Sequence, residues 1–224
     1  MKIAELFYSL QGEGALVGVP SVFIRTTGCN LRCTWCDTPY TSWQPEGTEF
    51  TLDQILNEVR SHPARHVVVT GGEPMIQPEI VALTQRLRAA GMHITIETAG
   101  TVFQPVACDL MSISPKLANS TPSDPAWSTR HERLRIQPDV LQELMGRFEY
   151  QLKFVIERRG DLDEVRELTL ALNAARERVI LMPEGTDREV LRERALWLAE
   201  VCKEEGFRFS PRLHVDLYGN QRGV

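Results

Sequence analysis

The stretch "HVVVTGGEPMIQPEIVALTQRLRAAG" (residues 66–91) narrows the choice of folds more than any other part of this 224-residue chain. A short β-branched run stops at a glycine pair, and a segment with apolar residues at helical spacing follows it, closed by Gly91. The unit recurs. Strands are expected at "SVFIRTTG" (21–28), "HVVVTGGEP" (66–74), "HITIETAGT" (93–101), "CDLMSISPK" (108–116), "QLKFVIE" (151–157) and "RVILMPEGT" (178–186). Helices are expected at "TLDQILNEVRSH" (51–62), "PEIVALTQRLRAAG" (78–91), "DLDEVRELTLALNAA" (161–175) and "DREVLRERALWLAEVCKEEG" (187–206).

Short apolar strands alternating with helices imply an α/β fold of parallel β/α units with right-handed crossovers. About six strands are too few for a closed eight-stranded barrel, so the expectation is one domain over 1–224 built as an incomplete parallel (β/α)6-type barrel. Residues 117–137, "LANSTPSDPAWSTRHERLRIQ", interrupt the alternation with Pro122 and Pro125 and are expected to form an irregular insertion or lid. In barrels and open α/β sheets alike, ligands sit beyond the C-terminal ends of the strands. One mouth should therefore gather the polar turns "TGGEP", "ETAGT", "SPK" and "MPEGT".

A formal charge of −5 argues against a protein that coats nucleic acid, which needs a clustered excess of Lys and Arg. No stretch approaches the roughly 18 uninterrupted apolar residues of a membrane span, and "MKIAELFYSLQGEG" lacks the apolar run of a signal peptide. A cytoplasmic protein without a nucleic-acid or membrane partner is expected.

Five cysteines include three in one loop, "RTTGCNLRCTWCDTPY" (25–40), directly after a predicted strand. In a reducing compartment such a bunch points to metal or redox work rather than disulfides. Soft thiolates select zinc, copper(I) or iron–sulfur clusters. A structural zinc site needs a fourth ligand, whereas CxxxCxxC can wrap one face of a cubane, bind three irons and leave the fourth open. Cys108 and Cys202 fall within a predicted strand and a predicted helix, where buried structural cysteine is the commoner role.

With "TGGEP" one β/α unit later, the loop resembles the radical S-adenosylmethionine superfamily. The chain further resembles the 7-carboxy-7-deazaguanine synthase family in "FYSLQGEG" (7–14), "FIRTTGCNLRCTWCDT" (23–38), "TGGEP" (70–74), "ETAGT" (97–101), "SPK" (114–116) and "SPRLHVDLYG" (210–219). The resemblance implies a barrel of the radical S-adenosylmethionine type, a 4Fe-4S cluster on Cys29, Cys33 and Cys36, and S-adenosylmethionine on the open iron. It places Trp35, Cys36, Asp37, Gly72, Glu73, Ser114, Pro115, Lys116, Met182, Pro183 and Glu184 by that cofactor. Gly71 and Gly72 would let backbone approach the ligand, and Glu73 would accept from its ammonium group.

The implied substrate is 6-carboxy-5,6,7,8-tetrahydropterin. It would meet Leu10, Gln11, Gly12, Glu13, Arg25, Thr70 and His214, with Glu13 accepting from the guanidine-like edge and Arg25 pairing the carboxylate or a ring carbonyl. Thr38 would ligate Mg2+, which accepts water and substrate oxygens as its other ligands. Hydrogen abstraction by a 5'-deoxyadenosyl radical, ring contraction and loss of ammonia would give 7-carboxy-7-deazaguanine, on the route to queuosine. The family also implies a flavodoxin or ferredoxin as electron donor and a homodimer. Competing readings are a glycyl-radical-enzyme activating enzyme, a non-catalytic iron–sulfur electron carrier and a zinc module.

Overall fold

The structure, a computed structural model, describes residues 1–224. The six expected strands are present as β2 (Pro20–Thr26), β4 (His66–Gly71), β5 (His93–Thr98), β6 (Leu110–Ile113), β7 (Tyr150–Ile156) and β8 (Val179–Pro183). They pair in that order, all parallel. Three strands extend the sheet: β1 (Lys2–Leu10) runs antiparallel to β2, β3 (Thr48–Glu49) is antiparallel to β1, and β9 (Arg208–Phe209) is parallel to β8. β3 and β9 are the two edges and are not paired with each other, so the barrel stays open.

The helices are α1 (Pro39–Ser42), α2 (Leu52–Ser61), α3 (Ile80–Ala89), α4 (Pro125–Arg135), α5 (Pro138–Arg147), α6 (Asp161–Ala171), α7 (Arg188–Glu205) and α8 (Leu213–Tyr218). Their starts follow from sequence. Thr51 and Gln54 form a reciprocal capping box on α2, and the Asp187 carboxylate accepts from the N–H groups of Glu189 and Val190 at the head of α7. No helix is long and apolar enough to cross a membrane.

Strand periodicity divides the sheet in two. Val22, Ile24, Val67, Val69, Ile94, Ile96, Met111, Ile113, Leu152, Phe154 and Leu181 join one buried apolar cluster with α2, α3, α5, α6 and α7. The alternate residues Phe23, Arg25, Thr70, Glu97, Ser112, Lys153 and Met182 border a single cavity. Strands as distant in the sheet as β1 and β8 reach that cavity, so the sheet must curve around it.

Two expectations need correction. Residues 117–137 are not irregular: after a single turn at Ala118–Ser120, Asp124 caps α4 and Pro125 starts it. The prolines suggested a broken segment, but a proline in the first helical turn costs no hydrogen bond. Nor is the segment a lid, since none of its residues borders the cavity. Cys108 lies just before β6 rather than within it, with Sγ 3.7 Å from the Ile94 carbonyl oxygen at the N-terminal end of β5. Cys202, on α7, lies 3.5 Å from the Arg208 carbonyl oxygen at the start of β9. Both therefore sit at the sheet edge opposite the three-cysteine loop.

Candidate active site

The loop after β2 carries the cysteines to the C-terminal edge of the sheet and is clamped against the end of β4. Glu73 N–H donates to the Gly28 carbonyl at 2.9 Å, and Gly72 N–H to that of Thr26 at 3.3 Å. A Cβ on Gly72 would stand 2.3 Å from the Gly28 oxygen and 2.8 Å from Cys29 Cβ. The second glycine of "TGGEP" is thus required for the cysteine loop to seat, beyond any approach to a ligand.

Cys33 is buried and Cys29 and Cys36 are half-buried. Burial pushes the Cys29 and Cys33 thiols up to about 12, so the enclosure disfavours thiolates unless a cation stabilises them. No three His, Cys, Asp or Glu side chains converge closely enough to hold one metal ion. A cubane takes each thiolate at a different iron, and three soft donors on one wall of a cavity fit that demand.

One cavity of ≈ 260 Å³ is bordered by Cys29, Cys33, Cys36, Trp35, Asp37, Thr38, Thr70, Gly71, Gly72, Ser114, Lys116, Met182 and Glu184. Leu10, Gln11, Gly12, Glu13, Arg25 and His214 border it too. Glu73, Pro115 and Pro183 do not. Glu73 is wholly enclosed, with Oε1 accepting from Met75 N–H (3.1 Å) and Thr98 Oγ1 (2.7 Å) and Oε2 from Ala99 N–H (2.8 Å). Burial raises its pKa, and those donors partly offset the rise. The side chain expected to take a ligand's ammonium instead ties the β4 and β5 turns together.

The network on the substrate side departs from expectation as well. Glu13 is not free to accept from a ligand edge: Oε2 takes the Lys153 ammonium and Oε1 the Arg212 guanidinium at 3.1 Å. Burial alone would raise the Glu13 pKa; Lys153 and Arg212 overrule it and hold the carboxyl well below the usual range. Arg212 also donates to the Gly185 carbonyl at 2.6 Å and to Asp37, joining the "LQGEG" loop, the cysteine loop and the turn after β8. Asp37 keeps its side chain 41% exposed; neighbouring protein opposes its ionisation, and the Arg212 guanidinium more than offsets that, lowering its pKa.

Glu97, in "ETAGT", was not among the expected site residues and is central here. It accepts from Gln11 Nε2 at 3.2 Å and Thr70 Oγ1 at 3.0 Å and lies 4.0 Å from Lys153 Nζ. Gln151, one turn of the pleat before Lys153, accepts from Ala15 N–H (2.8 Å) and donates to Ser112 (2.7 Å), pinning the "LQGEG" loop to β7. Arg25 Nε lies 2.7 Å from Glu5 Oε2, an ion pair without hydrogen-bond geometry, so the Nε donor itself is left unpartnered. Gly12 packs so closely on His214 that a Cβ there would overlap its Nδ1 at 2.0 Å.

On the cysteine side, Lys116 donates to Ser114 Oγ at 2.8 Å and lies 5.7 Å from the centre of the Trp35 ring, whose Nε1 donates to Asn119 at 3.3 Å. Glu184 pairs with Arg194. Thr38 Oγ1 takes a 3.4 Å bond from Thr41 and lies 3.8 Å from Cys36 Sγ.

Lys153 and Arg212 were missed as site residues. A signal for the first existed: "YQLKFVI" places Gln151 and Lys153 two apart in an otherwise apolar strand, the period of one sheet face. Arg212 lay in the noted "SPRLH" but offered nothing that separated it from a surface arginine.

The model of the Radical SAM superfamily matches residues 23–116, from β2 through the end of the β6 turn. The 7-carboxy-7-deazaguanine synthase of Halobacterium salinarum is 45% identical over 98% of this chain and 91% of its own length. The chain belongs to the 7-carboxy-7-deazaguanine synthase family. A second member, from Rhodopirellula baltica, is 45% identical over 99% of this chain and 88% of its own length. The crystal structure of QueE from Escherichia coli superposes with a TM-score of 0.70 at 27% identity, covering 95% of this chain and 94% of that one. Membership makes the chain a radical S-adenosylmethionine enzyme and implies a 4Fe-4S cluster and S-adenosylmethionine, a pair the three-thiol wall fits.

Proposed function

We propose that this enzyme contracts the ring of 6-carboxy-5,6,7,8-tetrahydropterin to 7-carboxy-7-deazaguanine with release of ammonia, in queuosine biosynthesis. One observation carries the reading most: a single cavity joins the three-cysteine loop to the "LQGEG" loop, the strand-end turns and the "SPRLH" segment. Cys29, Cys33 and Cys36 would each hold one iron. When bound, the cluster and S-adenosylmethionine supply one electron and, through carbon–sulfur cleavage, a 5'-deoxyadenosyl radical that removes hydrogen from the substrate.

The chain's own residues bind, orient and exclude water. Trp35, Asp37, Ser114, Lys116, Met182 and Glu184, with the backbone of Gly72 and Glu73 and the turns at Pro115 and Pro183, would surround the cofactor. Leu10, Gln11, Gly12, Arg25, Thr70 and His214 would surround the pterin. Lys153, a buried cation between Glu13 and Glu97, is suited to a substrate carboxylate because its charge is already fixed in the wall. Glu13 would act chiefly by holding Lys153 and Arg212 in place. Thr38 is the protein oxygen offered to Mg2+; one hydroxyl is too weak a ligand alone, so metal occupancy should require substrate oxygens. A flavodoxin or ferredoxin would supply the electron, and the working unit would be a homodimer.

The cavity is bordered by residues 220–224 as well as by strands, which favours a small molecule over the protein backbone used by a glycyl-radical activating enzyme. The test is anaerobic reconstitution with iron and sulfide, then reductant, S-adenosylmethionine, Mg2+ and the tetrahydropterin, with mass spectrometry for the deazapurine. 5'-Deoxyadenosine without the deazapurine would remove the substrate and keep the enzyme class. Absence of an iron–sulfur chromophore would remove both.

A further inference from the structure

One buried histidine has no place in the reaction above. His131, on α4, is wholly enclosed. Its Nδ1 accepts from the Arg32 backbone N–H at 3.1 Å; its Nε2 lies 2.9 Å from Ser120 Oγ, which in turn lies 2.6 Å from the Leu117 carbonyl oxygen. A backbone N–H only donates and a carbonyl only accepts, so the chain of bonds has one consistent direction. Arg32 N–H donates to Nδ1, Nε2–H to Ser120 Oγ, and the Ser120 hydroxyl to Leu117. The imidazole is neutral, with its proton on Nε2.

Ser120 also accepts, on its backbone carbonyl, the N–H of Thr34 at 2.8 Å. Arg32 and Thr34 are the residues on either side of Cys33. The two backbone donors flanking the central cysteine are therefore drawn toward residues 117–131 and away from the cavity that would hold the cluster. Hydrogen bonds to cluster or thiolate sulfur set the potential of an iron–sulfur centre, because they favour the more negative, reduced state. In the cysteine loop, the N–H to sulfur contact present is Leu31 to Cys29 Sγ, at 3.4 Å.

We propose that His131 and Ser120 are positioning residues that hold the Arg32 and Thr34 N–H groups away from the cluster sulfurs and so keep the cluster strongly reducing. The inference rests on the cluster assignment above and gives a role to the 117–131 segment, which does not border the cavity. The brace acts through the loop backbone, without touching substrate or cofactor.

The experiment is an anaerobic redox titration of the reconstituted cluster, followed by electron paramagnetic resonance, on wild type, His131→Leu and His131→Asn. Leucine removes the acceptor at similar volume, and asparagine restores an acceptor near the Nδ1 position. The leucine variant is expected to become at least tenfold easier to reduce, a rise of about 59 mV for a one-electron couple. The asparagine variant should return most of that shift. A leucine variant with full iron content and an unchanged potential overturns the proposal while leaving the cluster assignment intact. Wild-type protein that takes up no cluster overturns the assignment itself. If the leucine variant does not fold, Ser120→Ala, which removes the partner that fixes the tautomer, should shift the potential in the same direction by a smaller amount. No shift there also overturns the proposal.

Discussion

Lys153 and Phe154 are consecutive residues of β7 and lie in different media. Phe154 faces the helices and is wholly enclosed in the apolar cluster; Lys153 faces the cavity, paired with Glu13 and 4.0 Å from Glu97. The same division runs across the sheet, with Ile24, Val69, Ile96 and Ile113 on one side and Arg25, Thr70, Glu97 and Ser112 on the other. The outer face is held by buried area and would accept any apolar residue of the right volume. The inner face is held by specific partners, and each polar group there matters through the group it would leave unpaired.

The largest stability effect should come from the outer face. Phe154→Ala is expected to cost about 3–5 kcal/mol in urea unfolding, while cluster uptake per folded molecule is unchanged. A cost below about 1 kcal/mol would mean that this face is not the structural core.

One residue earlier, Lys153→Met keeps the apolar stem and removes the charge. Glu13 retains Arg212, so the stability loss should be smaller, about 1–3 kcal/mol. Product formation should fall by roughly a hundredfold, as for loss of one fixed electrostatic group. A Lys153→Met enzyme as unstable as Phe154→Ala but fully active would break the division of labour between the faces.

The outer face was the legible one. β-Branched runs and helical spacing state their own burial, which is why all six central strands and four helices could be read from the chain. β1 escaped because it buries only Ile3, giving no apolar run, and β3 and β9 are two residues each, below any periodicity. α4 escaped because its residues are mostly polar, and its tie to the cysteine loop runs through a backbone N–H that no side-chain pattern reports. At the site, resemblance marked which segments meet but not which side chains already have partners. Glu73 and Glu13 look like free acceptors in sequence; only the folded distances show both saturated by internal donors.

A third test concerns the brace beneath the site rather than either face. Burial lowers the His131 pKa to about 4; Glu132 opposes that shift, and Arg135 and Lys116 add to it. Unfolded, the residue titrates near its ordinary value of about 6.5. Between those values the unfolded chain binds a proton that the folded chain refuses, so stability should fall as pH drops from 6.5 toward 4 and be flat in this respect above 6.5. The slope from this one residue is at most ~1.4 kcal/mol per pH unit. Urea titrations of apoprotein at pH 7 and pH 5 should show that decrement in wild type and lose it in His131→Asn. An equal decrement in both would place the acid sensitivity elsewhere.

The smallest effect belongs to the solvent side of the helices. Asp53 and Arg86 form a 2.6 Å ion pair between α2 and α3, with side chains 82% and 47% exposed. The bond is as short as many in the cavity, so distance alone would rank them together. Solvent decides otherwise: an exposed pair gains little over its hydrated components, and salt screens what it gains. Asp53→Asn should change stability by no more than ~1 kcal/mol, and 0.5 M NaCl, where the Debye length is only a few ångströms, should erase the difference. The Lys153→Met deficit should persist in the same salt, because Lys153 is only 5% exposed and salt screens buried pairs much less than exposed ones. If salt erased both differences alike, Lys153 would be a solvated charge, and the inner face would be held no differently from the outside of the molecule.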